Sequence, residues 1–111
     1  MTMICKGFLL FSKDDFEGSD RYFSNISDNP KNLEKNILIL AKLGRALCAY
    51  NLNNYKRAIE FFTSLIKDYD YYNENVLESI GICFYNSNNI KKAVEIFEKI
   101  QEKFHYSSHN L

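Results

Sequence analysis

The apolar positions of this chain fall into paired blocks with helical spacing. Tyr55, Ala58, Ile59, Phe62, Leu65 and Ile66 follow a period near 3.6, as do Ile90, Ala93, Val94, Phe97 and Ile100. Each block predicts an amphipathic helix with one buried face. Asn53-Asn54 and Ser87-Asn88-Asn89 stand directly before these helices, and Asn tolerates the left-handed backbone that tight turns require. Upstream of each turn lies a further helical stretch, Leu43 to Asn51 and Glu78 to Asn86. Ala58 and Ala93 are 35 positions apart, and Phe62 and Phe97 share that offset; helix-turn-helix repeats recur at about 34. The chain therefore reads as a helical repeat protein.

The small residues fix the register. Gly81 and Ala93, and likewise Ala46 and Ala58, sit where the two helices of a pair cross closely, since bulk at either site would push them apart. Extended backward, the same slots fall on Gly7, Ser19 and Phe23, with Phe16 matching Tyr55 and Ile90 at the start of the second helix. The expected fold is all-α: a right-handed α-solenoid of about three helix-turn-helix repeats, roughly six antiparallel helices. The repeats are read as residues 1–32, 33–72 and 73–106 of one domain. Ser19 and Ala58 are 39 positions apart, which predicts an extra turn in the helix that begins near Leu33. Pro30 within Asp28-Asn29-Pro30-Lys31-Asn32 biases Asn29 away from helix and ends the first unit. The first unit would begin just before Met1, and no polar capping helix follows Phe104, whereas solenoids need polar ends. A piece of a longer array is expected, with a homo-oligomer hiding the exposed ends as the alternative.

Charge and chemistry narrow the function. Fourteen basic and fourteen acidic residues cancel, so the long-range field that gathers nucleic acid or anionic lipid is missing, and neither is expected as a direct partner. Cys5, Cys48 and Cys83 form no Cys-x-x-Cys pair and suit a reduced compartment, cytosolic or nuclear. Lys6 interrupts the apolar run of Met1 to Phe11, so neither a secretion signal nor a membrane span is read there. His105 and His109 have metal-ligand spacing, but Ser107-Ser108 and the chain end favour a frayed tail. Asp14, Asp15, Glu17 and Asp20 gather at a helix start, where carboxylates complement the dipole. Tyr69 and Tyr72 are read as packing in the seam between repeats. No enzyme, metal or cofactor is expected.

These small-residue slots, turns and aromatic knobs resemble the tetratricopeptide repeat family. The resemblance implies a protein-binding module whose first helices line a concave groove. Transferred to this chain, the groove would present Phe8 and Phe11, then Leu43, Leu47, Tyr50 and Asn51, then Ile82, Tyr85 and Asn86. Much of that surface is apolar, the mark of an interaction site. Chaperone-binding members hold a partner's terminal carboxylate in a Lys, Asn and Arg clamp. Here Ile4, Phe8, Asn75 and Ser79 occupy the corresponding places, and Lys42 and Arg45 are out of register.

Leu43-Gly44-Arg45-Ala46-Leu47 through Asn54-Tyr55-Lys56-Arg57-Ala58, followed by Gly81-Ile82-Cys83-Phe84, is also similar to consecutive repeats in the large scaffold subunits of the RNA polymerase II-associated factor complex. Phe16 to Asn32 is similar to the repeat preceding them. The chain departs from that pattern in the insertion at Leu33 to Ile37 and in lacking a Pro near Asp70. The resemblance implies a nuclear scaffold for transcription elongation factors. A tetratricopeptide subunit of the anaphase-promoting ubiquitin ligase, or a peptide-binding cochaperone, is the alternative.

Overall fold

Asn and Asp, not Gly, make the tight turns of this protein. The computed structural model describes residues 2–29, 31 and 33–104. Its described residues form α1 (Met3–Ser12), α2 (Phe16–Ser27), α3 (Lys35–Asn51), α4 (Tyr55–Tyr69), α5 (Glu74–Asn86) and α6 (Ile90–Phe104). Between the members of each pair, one residue takes positive φ: Asp14 (63°), Asn53 (63°) and Asn88 (67°). The next residue's backbone N–H reaches five residues back, from Asp15 to Leu10 O at 2.9 Å and from Asn54 to Ala49 O and Asn89 to Phe84 O at 2.8 Å each. This is a Schellman-type ending, which satisfies the last carbonyls of the first helix.

The same three residues open the second helices. Asp15 Oδ1 accepts from Gly18 N at 3.0 Å, Asn54 Oδ1 from Arg57 N at 3.4 Å and Asn89 Oδ1 from Lys92 N at 3.4 Å. A carboxylate or amide oxygen here caps orphan N–H groups of the first turn. A two-residue Asx pair thus closes one helix and starts the next, which turns the chain back on itself in all three pairs.

The helical pairs are wedged together by phenylalanines. Phe23 is fully buried; a Cβ placed on Gly7 of α1 would lie 2.7 Å from its ring, and one on Gly44 of α3 would lie 2.5 Å away. One ring therefore touches the backbones of two neighbouring helices. Phe62 is 1% exposed and joins Ala46, Ala58, Leu65, Val76, Ile80 and Cys83 in the main core. Phe97 lies against Gly81 yet stays 37% exposed, because no further helix among the described residues covers it. Ser19, in the slot that Ala58 and Ala93 fill elsewhere, is buried, and its hydroxyl donates to Gly7 O at 2.6 Å. That bond satisfies the buried hydroxyl at a helix crossing too tight for a larger group.

Two expectations are corrected. Asp20 does not serve a helix dipole: its carboxylate accepts from Arg45 Nε at 3.1 Å, and Asp28 lies 3.8 Å from the same guanidinium. Among the tyrosines, Tyr69 and Tyr71 pack on the core, whereas Tyr72 is 39% exposed with Lys103 Nζ 5.3 Å above its ring. Asp70, at φ 55°, ends α4 in the left-handed conformation, which terminates the helix in place of the missing Pro. α3 has 17 residues against 10 in α1 and 13 in α5. Pro30, Asn32, His105 and His109 lie outside the described residues. The Cα radius of gyration is 15.1 Å, above the roughly 13 Å of a compact chain this long, as stacking along one axis requires.

Candidate protein-binding groove

α1 reaches α3, while the second helices α2 and α4 make no comparable contact, so the first two hairpins lean together on the side of their first helices. On this inner side every large aromatic of α1 and α3 at a proposed groove position is engaged by its own hairpin. Phe8 meets Phe23 with ring centroids 4.8 Å apart, Phe11 meets Phe16 at 5.1 Å and Tyr50 meets Tyr55 at 5.9 Å, all edge to face. These pairs hold the first two hairpins shut and leave Phe8, Phe11 and Tyr50 half-buried, with only a portion of each ring open to a partner. Leu43 and Leu47 are also half-buried; with Tyr71, Asn73, Asn75 and Ser79 they line a cleft of about 180 Å³ between α3 and α5. Ile82 is half-buried, Asn51 and Asn86 are exposed, and Tyr85 is 59% exposed.

Polar groups on this side are mostly used locally. Asn51 Nδ2 donates to Leu47 O at 2.8 Å, and the Ser79 hydroxyl donates to Asn75 O at 2.9 Å. Arg45 faces α2 and not the groove: it is 9% exposed, bonded to Asp20, with its guanidinium 4.6 Å from the Phe61 centroid. Lys42 and Arg57 approach the same ring at 5.7 and 5.2 Å. The inner surface is therefore apolar and amide-rich, with its nearest strong cations committed elsewhere.

A model of the tetratricopeptide repeat family matches residues 40–70 and 76–104, which cover α4 and α6 with most of α3 and α5. The chain belongs to the tetratricopeptide repeat family. Tetratricopeptide repeats mediate protein and peptide interactions, and this chain is an interaction module of that kind. Neither the curated proteins nor the solved structures compared with it gave a match.

The carboxylate clamp of chaperone-binding tetratricopeptide proteins has no counterpart at the transferred positions, where Ile4 and Phe8 are half-buried, and Asn75 and Ser79 are neutral. Sequence reading missed a second concave surface on this tetratricopeptide array. Leu33, just before α3, and Ile37 in its first turn lie with Met3 and Ile4 of α1 and Ile26 of α2 around a cleft of about 490 Å³, with Asn25 and Asn29 among its lining. The signal was the inserted Leu33 to Ile37 itself, whose apolar residues have no counterpart in the other units. Gly44 was missed as well. A glycine inside a helix costs about 1 kcal/mol, and here the Phe23 ring accounts for it.

The thiols divide by burial. Cys48 and Cys83 are fully buried and Cys5 is exposed. Burial pushes both inner thiols up, Cys83 to about 11; at Cys48 the Ser19 hydroxyl and Arg45 oppose the rise. A thiolate is the reactive form, so these two act as small apolar residues at neutral pH. Among the described residues there is no cluster of three or more His, Cys, Asp or Glu placed to hold a metal, and no helix long and apolar enough to cross a membrane.

Proposed function

We propose that this chain is the scaffold segment of a nuclear RNA polymerase II transcription elongation complex, holding a protein segment along the side formed by α1, α3 and α5. What carries the reading is the resemblance of Leu43 to Ala58 and Gly81 to Phe84 to consecutive repeats of such scaffold subunits. The chemistry of the inner side supports the binding component of it. An extended peptide with apolar side chains finds the Leu43 and Leu47 cleft, while Asn51, Asn75 and Asn86 offer amides to its backbone. Tyr85, largely exposed at the end of α5, supplies a rigid ring with a polar tip, the side-chain type enriched at binding hot spots.

The test is affinity purification of the tagged full-length protein from its own cells, followed by mass spectrometry. Recovery of RNA polymerase II elongation factors, lost on Leu47→Asp and Tyr85→Ala together, is the expected result. Recovery of ubiquitin-ligase subunits or chaperones in their place would keep the interaction module and overturn the elongation assignment.

A further inference from the structure

The charge of the inner side is one-sided. Its stripes on α1 and α3 run through Ile4, Phe8 and Phe11 and through Leu43 and Leu47, all apolar. The nearby cations are turned away, Lys42 over the Phe61 ring at 5.7 Å and Arg45 onto Asp20. On α5, Asn75, Glu78, Ile82 and Tyr85 share the corresponding stripe, since residues three and four apart lie on one helix face. Glu78 is exposed and has no ion-pair partner among the described residues. The equivalent positions of the earlier hairpins are Ile4 and Leu43 for Glu78, and Phe11 and Tyr50 for Tyr85. These stay half-open although another hairpin stacks on each. Glu78 therefore faces the groove by its place in the repeat, whatever follows α6.

We propose that the partner segment held in the groove is basic: an extended peptide with an aliphatic side chain in the Leu43 and Leu47 cleft and a lysine or arginine two residues away, paired with Glu78. This rests on the groove proposed above and adds the chemistry of its ligand. The cleft of about 180 Å³, walled by Leu43, Leu47 and Val76, has room for one such side chain, and Ser79 in its lining is the neighbour of Glu78. In an extended segment, residues two apart point the same way about 7 Å from each other, a step that a long cationic side chain bridges. A segment laid over Glu78 strips water from its carboxylate, which costs free energy unless a cation replaces that water. An acidic segment would meet a like charge instead, the reverse of the preference set by a carboxylate clamp. Tyr85, two turns further along the stripe, offers a ring face to a second cation.

Fluorescence anisotropy with the full chain and three capped synthetic peptides tests this. The peptides share one central leucine and carry Lys, Gln or Glu two residues to either side of it. The Lys peptide should bind about two- to fivefold more tightly than the Gln peptide, the Glu peptide should bind least, and added salt should narrow the gap. Glu78 is exposed, so Glu78→Gln and Glu78→Lys leave the fold intact by circular dichroism. Glu78→Gln should erase the Lys preference without weakening the Gln peptide, and Glu78→Lys should invert the order. A Glu peptide that binds as tightly as the Lys peptide, or a Lys preference that survives Glu78→Gln, would overturn the basic partner and leave the groove standing. Absence of binding by all three peptides, or binding indifferent to Leu47→Asp, would overturn the groove along with it.

Discussion

Gly44→Ala sets two effects of opposite sign against each other. Alanine inside a helix is favoured over glycine by about 0.8–1 kcal/mol. Against this, the new methyl would lie 2.5, 2.6 and 2.7 Å from three atoms of the Phe23 ring, where carbon contacts settle at about 3.5–4.0 Å. A shift of about 1 Å is needed, and the ring has nowhere to go: on its other side it already rests on the Gly7 backbone, where a Cβ would be 2.7 Å away. Helix α3 must move off α2, and overpacking of this kind costs about 1–3 kcal/mol. With the contact clamped from both sides the upper half of that range applies, which leaves a net loss of about 1–2 kcal/mol after the helix gain. For a domain of this size that is a fall in Tm of about 4–8 °C, read by circular dichroism and checked by urea denaturation. In a Phe23→Leu background the shorter side chain frees the space, and Gly44→Ala should become neutral or stabilising. A raised Tm for the single variant, or strict additivity of the two changes, would refute the clamped-ring argument.

Arg45→Ala strands Asp20 and Asp28 without their cation and uncovers Phe61, so a loss of about 2–4 kcal/mol is expected in urea denaturation, only partly recovered by Arg45→Lys. With an aromatic disulfide reagent at neutral pH, Cys5 should react at once and Cys48 and Cys83 only as fast as the chain unfolds; rapid labelling of all three would mean the core is open. The raised Cys83 pKa means that the folded state favours the protonated thiol, a contribution complete below pH 9 and lost as pH climbs to about 11. Cys83→Ala should therefore lose less stability across that window than the parent, by roughly 2 kcal/mol. Tyr85→Ala should leave the urea midpoint nearly unchanged, while Tyr50→Ala, which removes the ring set edge to face against Tyr55, should lower stability by about 1–2 kcal/mol.

The fold was legible because its rules are local. A period of 3.6, a recurring Asn pair and a small residue twelve positions before another small residue are each visible along the chain, and together they define a helical hairpin. The groove was less legible for a physical reason. Phe8, Phe11 and Tyr50 lie on the correct helices, but whether an aromatic side chain leans across its own hairpin or out of it depends on the partner ring at Phe23, Phe16 or Tyr55, and spacing along one helix does not encode that choice. Arg45 and Asp20 are 25 residues apart, so their pairing depends on how α2 stacks on α3. The extra turn of α3 was legible as an insertion, but the cleft beside it needs α1 and α2 in place.

Because each phenylalanine wedge ties a hairpin to the helix that follows it, cohesion along the array is graded. Phe23 and Phe62 are sealed on all sides, and opening either would separate neighbouring hairpins together. Among the described residues Phe97 is held from one side only, so within them α6 can peel away from α5 without disturbing any other junction. Such an array opens as a sequence of partial steps, and amide hydrogens of α6 should exchange well before those of α3. Under tension applied to the chain ends, the same grading makes the molecule yield from its α6 end one hairpin at a time, a compliant link between whatever its two ends are fastened to.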